Sequence, residues 1–324
     1  MLLHSGKLLD ARKEITEFVD YINAIGSGFN VNKDFILKAA LVLTGFSNIA
    51  FKVDNFNKQN MLMIEQNWHT IKTSITQCIS ACIKFGFSRD SLKSNNAVIP
   101  IAYYLMTIGN PNNFEVSSTT VSNRKKIKKW LTMSLIKRTF SGQPDNVLRP
   151  LREIIKSNGN KEFPLDEIIN KLRGTSKTIV FTDDDIENLL ELQYGRADTL
   201  MVLMMLYPSL DYNNKFHIDH IYPKSKFTRT ALGKRDVPTN QIDEYINQVN
   251  DLSNLQMLAA IPNIEKQDKD FSDWFESNYL TDTDKIQYRK INYLPEMDYT
   301  YGNFIKFMEE RKKLLRKQLE TELL

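Results

Sequence analysis

Phe216-His-Ile-Asp-His-Ile-Tyr-Pro-Lys-Ser225 is where the texture of this chain changes from helical to extended. β-favouring residues flank His217 and Asp219 and predict a short strand, and Pro223 just beyond is compatible with that strand ending. A long polar loop follows, then Leu255-Gln-Met-Leu as a second short strand, introduced by Asn254. Pro262 opens a helix at its first turn, where a missing N–H costs nothing, and this helix carries Asn263 and Lys266. Ile264, Phe271 and Phe275 are expected on one side of it, with Asn263, Lys266 and Asp270 on another. The order is strand, loop, strand, helix: a ββα unit.

Away from this stretch the pattern is helical. From Glu14 to about Tyr104 apolar residues recur at three and four, with Asn32 placed to cap a helix from Lys33 to Leu43 and Gly45 to stop it. A second stripe from Asn60 to Lys84 aligns Ile64, Trp68, Ile71, Ile75, Ile79 and Ile83 and ends at Gly86. Cys78 and Cys82, four apart within that stripe, read as two small buried side chains rather than a disulfide or a metal pair. Trp68, Trp130 and Trp274 lie on apolar faces and are expected in the core. Turn formers cluster from Gly109 to Thr120, at Ser141-Gly-Gln-Pro, at Ser157-Asn-Gly-Asn, and from Pro208 to Asn214 ahead of the motif. The expected architecture is mainly α: a helical domain over 1–210, a small ββα unit over 211–279, and a C-terminal helical extension over 280–324 packed on that unit.

A chain of 324 residues with 42% hydrophobic and 25% charged residues is long enough for two domains and has globular composition. Its net charge of +4 permits a polyanionic partner but leaves nucleic acid undecided. Met1-Leu-Leu-His-Ser-Gly-Lys lacks the apolar core of a signal peptide, and the run from Leu200 to Tyr207 is far below the roughly 20 residues that span a bilayer. A cytoplasmic protein with no membrane partner is expected.

The motif residues have the chemistry of phosphodiester hydrolysis, which needs a base for water, a cation to neutralise charge, and a scaffold for both. His220 can be the base, because imidazole titrates near neutral pH. Asp219 and Asn263 offer hard oxygen ligands suited to one divalent cation, Mg²⁺ or Mn²⁺, with water and phosphate completing its shell. Lys266, one turn beyond Asn263, is expected to reach the same phosphate. Asn254 is expected to hydrogen-bond backbone across the loop and keep His220 in place. Strict alternation sends Asp219 and His220 to opposite faces, so the strand must bend or end there.

Asp-His-Ile-x-Pro, the Asn of Asn254-Leu-Gln-Met-Leu and Asn263-x-x-Lys266 resemble the HNH (ββα-metal) domain of RNA-guided CRISPR nucleases. A closer likeness is to the C-terminal half of GmrSD-type modification-dependent restriction endonucleases. It is carried by Asp34-Phe-Ile-Leu-Lys-Ala-Ala-Leu-Val-Leu, Asn96-Ala-Val-Ile-Pro-Ile-Ala-Tyr-Tyr and Asn213-Asn-Lys-Phe-His-Ile-Asp-His-Ile-Tyr-Pro-Lys-Ser, so it spans most of the chain. The resemblance implies an endonuclease acting on foreign or modified DNA, with His220 as general base, Asp219 and Asn263 on one cation, Asn254 bracing the loop and Lys266 supporting the site. Such proteins usually begin with a ParB-like nucleotide-handling domain bearing Asp-Gly-Gln-Gln-Arg. That motif does not occur here, which implies a C-terminal portion starting near Ala11-Arg-Lys-Glu-Ile. Asp219 stands where many relatives carry Glu.

Two further readings stay open beside the nuclease. One is a non-catalytic DNA-binding or protein-interaction module with a relic motif. The other is a structural zinc unit, weakened because no cysteine lies near the motif. His217 reads first as a structural strand histidine and second, with Lys224, as a DNA-backbone contact. Lys125, Lys128 and Lys129 belong to Arg124-Lys-Lys-Ile-Lys-Lys-Trp-Leu-Thr-Met-Ser-Leu-Ile-Lys-Arg138, which has no acid; it reads as a solvated face or as a grip on phosphates. The run from Lys306 to Lys317, interleaved with Glu309, Glu310 and Glu320, reads as i,i+4 pairing on a solvated helix.

Overall fold

Helix dominates wherever the three-and-four spacing occurs. The structure, a computed structural model, describes residues 2–4, 7–208, 210, 216–235 and 237–324. They form two compact units, Met1–Val180 and Phe181–Leu324. The division lies upstream of the expected boundary at 210, because the helices between 181 and 210 share their packing with the motif segment rather than with the N-terminal helices. The turn formers from Gly109 to Thr120 fall inside the first unit and divide nothing. Most of the Pro208–Asn214 break, and residues 213–215 of the quoted likeness, lie outside the described residues.

The first unit opens with a hairpin, β1 (Leu2–His4) and β2 (Lys7–Leu9). Seven helices follow: α1 (Ala11–Ala24), α2 (Lys33–Leu43), α3 (Lys58–Lys84), α4 (Ile99–Thr107), α5 (Val121–Ile136), α6 (Asp145–Asn158) and α7 (Leu165–Leu172). Asn32 caps α2 as expected, its side chain accepting from Phe35 N at 2.9 Å. The α3 stripe is buried at Ile64, Trp68, Ile71, Ile75 and Ile79. Cys78 and Cys82 are free and both 0% exposed. Helix α2 is buried nearly all round, so Lys38 must satisfy its ammonium internally; it donates to Ile49 O at 2.7 Å and pairs with Asp145 at 2.5 Å.

The second unit starts with α8 (Asp183–Leu190), opened by a capping box between Thr182 and Asp185, and α9 (Ala197–Leu206). Strand β3 (Phe216–His220) pairs antiparallel with β4 (Leu255–Ala259), and Asp219 stands opposite Gln256 and His220 opposite Leu255. The connection between them is not a plain polar loop. It folds into α10 (Arg229–Gly233) and α11 (Ile242–Gln248), held inward by Phe227, Leu232, Ile242 and Tyr245. After β4 come α12 (Ala260–Lys266), α13 (Phe271–Asn278), α14 (Asp282–Ile291) and α15 (Phe304–Leu323).

The single helix expected across Asn263 to Phe275 is thus two helices. Gln267 breaks it with a φ of +46°, which re-aims the chain so that Phe271 and Phe275 are buried while Ile264 is 65% exposed. Tyr222, two residues past β3, is the hub of the core: Tyr301, Phe304 and Phe307 meet its ring edge-on at centroid separations of 5.6, 5.2 and 5.0 Å. Such edge contacts add to the apolar area buried. Tyr301 and the start of α15 thus pack on Tyr222 of the motif segment. Among the described residues no helix is long and apolar enough to cross a membrane.

Candidate active site

The three residues after Asp219 carry the turn that ends β3, and their backbone is held at several points. Lys266 Nζ donates to His220 O at 2.7 Å. Ile221 N donates to Asn254 O at 2.8 Å. The Asn254 side chain takes both ends of Tyr222, its Oδ1 accepting from Tyr222 N at 2.9 Å and its Nδ2 donating to Tyr222 O at 3.0 Å. Nδ2 donates also to Val249 O at 2.8 Å, so the amide spans the gap between the end of β3 and the approach to β4. The Asn254 amide thus bonds backbone across the loop, at Tyr222 and Val249.

Asp219 points to the other side of β3. Its Oδ2 accepts from Gln256 Nε2 at 2.9 Å and pairs with Lys266 Nζ at 2.9 Å. Gln256 is itself oriented by Tyr288, whose hydroxyl donates to Gln256 Oε1 at 2.8 Å. Asp219 Oδ1 takes no hydrogen bond among the described residues. Lys266 is 0% exposed, and burial pulls its ammonium below the ordinary lysine range while the Asp219 carboxylate pulls it back up. The expected phosphate contact by Lys266 is therefore corrected: a buried ammonium committed to Asp219 and His220 O has no reach left for substrate.

His220 presents its ring on the opposite face, as alternation requires, and β3 ends there. Its Nε2 lies 3.1 Å from Asn250 Oδ1, and the Tyr194 ring lies at 4.7 Å. Burial lowers its pKa below the ordinary 6.5, with the Asn250 contact and Asp219 acting against that and Lys224 and Lys266 with it. The ring is therefore neutral at pH 7, the state a general base needs.

Asn263 sits on α12 one turn before Lys266, half-buried, and its side chain makes no hydrogen bond among the described residues. Asp219 Oδ1 and the Asn263 amide are thus hard oxygens not spent on the fold, which suits an open divalent-cation site better than a closed cage. Among the described residues no group of three or more His, Cys, Asp or Glu is placed to hold a metal.

His217 and Lys224 are exposed in the same unit. Lys125, Lys128 and Lys129 lie on α5 in the first unit, a separate compact body from the one carrying the motif. Four residues escaped the reading of the sequence: Tyr194, Asn250, Gln256 and Arg311. Arg311, on α15 and 0% exposed, donates to Ser253 O at 2.8 Å and to Asn292 O at 3.2 Å, holding the residue before Asn254. Only Gln256 had a signal to find it by, its place opposite Asp219 once the strands are paired. No protein-family model and no curated protein matches the chain.

Proposed function

We propose that this chain is a metal-dependent HNH endonuclease that hydrolyses DNA phosphodiester bonds. The observation that carries the reading is the joint end of β3: Asp219 Oδ1 takes no hydrogen bond among the described residues, the His220 ring meets the Asn250 amide, and Asn254 and Lys266 hold the backbone between them. Asp219 and Asn263 would hold one Mg²⁺ or Mn²⁺, which when bound neutralises charge on the phosphate and on the departing oxygen. His220 takes a proton from water as the water oxygen attacks phosphorus and the bond to the 3′-oxygen breaks, and the departing oxygen takes up a proton from solvent. The products carry a 5′-phosphate and a 3′-hydroxyl. By the family resemblance, the role is that of the nuclease part of a modification-dependent restriction or phage-defence protein working beside a ParB-like nucleotide-handling domain.

Plasmid nicking in Mg²⁺ or Mn²⁺ is the test, and His220→Ala should abolish it. Cleavage that survives this substitution removes the mechanism. A second reading, a non-catalytic DNA-binding or protein-interaction module with a relic motif, draws on one observation: the Lys266 ammonium already balances the Asp219 charge. Mn²⁺ titration separates the two. The nuclease should bind the ion, and the double substitution Asp219→Asn with Asn263→Ala should lose it without unfolding.

A further inference from the structure

His220 is gripped from two segments that lie on opposite sides of β3 in the sequence. Gln193 and Asp251 form an isolated antiparallel bridge. Tyr194 N donates to Asn250 O at 2.7 Å, Leu252 N donates to Leu192 O at 2.8 Å, and Gln193 Nε2 donates to Asp251 Oδ1 at 2.9 Å. Residues 192–194 and 250–252 are thereby one small ladder. The Gln193 carbonyl is fixed again by Thr199 Oγ1 at 2.6 Å, and the chain turns away at Gly195 with a φ of +86°, a conformation glycine adopts without strain.

From the rung next to the Gln193–Asp251 bridge, where Tyr194 stands opposite Asn250, two side chains converge on one ring. Asn250 Oδ1 meets His220 Nε2 at 3.1 Å, and the Tyr194 ring lies 4.7 Å from the imidazole at an interplanar angle of 44°. An amide oxygen only accepts, so Nε2 must carry the hydrogen and the lone pair stays on Nδ1. We propose that Tyr194 and Asn250 are positioning residues that hold the His220 imidazole in its Nε2–H tautomer and turn Nδ1 toward the attacking water. The proposal rests on the nuclease reading, and it adds to the ββα unit a part contributed by the connection between α8 and α9.

The experiment uses the full chain with ¹⁵N-labelled histidine. At a pH well above the imidazole's ordinary pKa, two-bond ¹⁵N–¹H correlations report the tautomer of each ring, and His220→Gln assigns the His220 signals. The wild type should show the Nε2–H form, Asn250→Ala should lose that preference, and Asn250→Asp, which keeps an acceptor oxygen, should restore it. In steady-state cleavage, Asn250→Ala and Tyr194→Ala should lower kcat by about 10–100-fold with KM little changed, while Tyr194→Phe stays near wild type. A wild-type ring in the Nδ1–H form, or an unchanged tautomer in Asn250→Ala, overturns the proposal. The wild-type tautomer is read without any Asn250 variant, so an Asn250→Ala chain that fails to fold leaves a decisive measurement standing. Wild-type protein that never cleaves DNA removes the nuclease reading, and the tautomer still decides whether the grip on His220 exists.

Discussion

Lys266 has no solvent to reach: its ammonium lies between the Asp219 carboxylate and the His220 carbonyl. Removing it leaves a carboxylate and a carbonyl buried without their partner, and breaking a buried pair from one side costs about 3–5 kcal/mol. Lys266→Met should therefore lower stability by that amount in urea unfolding; a change within about 0.5 kcal/mol, typical of an exposed position, would contradict its placement. His220 carries a pH dependence of known sign. Its folded pKa lies below the ordinary 6.5, so the unfolded state binds more protons as pH falls, and stability drops through the window between the two values. The acidic limb of the cleavage profile should likewise fall below pH 6.5, and a midpoint above that value would argue against a buried base. At this scale much of the candidate site could be named from the sequence. Asp219, His220, Asn254 and Asn263 were legible because type and spacing define their chemistry. Asn250 and Tyr194 were not, since a lone Asn and a lone Tyr gain meaning only from the ladder that brings residues 192–194 beside 250–252.

At the scale of elements, the strands on either side of the long connection were legible from β-favouring residues, and the α2 and α3 boundaries from their caps and stripes. The break at Gln267 was not, because nothing in Glu-Lys-Gln-Asp marks a positive φ in a residue other than glycine. That conformation lets α12 and α13 diverge, which keeps Lys266 under the strand while Phe271 turns into the core. Gln267→Gly should be neutral or stabilising by up to about 1 kcal/mol, and Gln267→Val destabilising by about 1–2 kcal/mol. Thermal unfolding of the two variants side by side checks this, and equal melting temperatures would contradict it. The run at Lys306–Lys317 also reads differently in place. Arg316 does pair with Glu320 at i,i+4, but Lys312 reaches Glu191 and Arg316 reaches Glu187 on the α8 side, and Arg311 is buried altogether.

At the scale of the molecule, each site residue and each of its partners, from Tyr194 to Arg311, falls within Phe181–Leu324. A fragment spanning residues 181–324 should therefore fold with a cooperative melt, and a fragment starting at 211 should not, because it lacks the segment that bridges Asp251 and supplies Tyr194. Circular dichroism of the two fragments decides it. Arg311→Leu strips the Ser253 and Asn292 carbonyls of their donor and should cost about 2–4 kcal/mol in the full chain. The expected boundary near 210 missed this because hydrophobic spacing marks where helices are, not which neighbours they choose.

The chain's two cysteines, Cys78 and Cys82, are sealed in the first unit, and the second has none. A thiol reagent can react only when α3 opens, so the labelling rate clocks the breathing of the N-terminal body alone. That body can be watched in the intact chain, without a mutation, while the candidate nuclease unit stays silent to the probe.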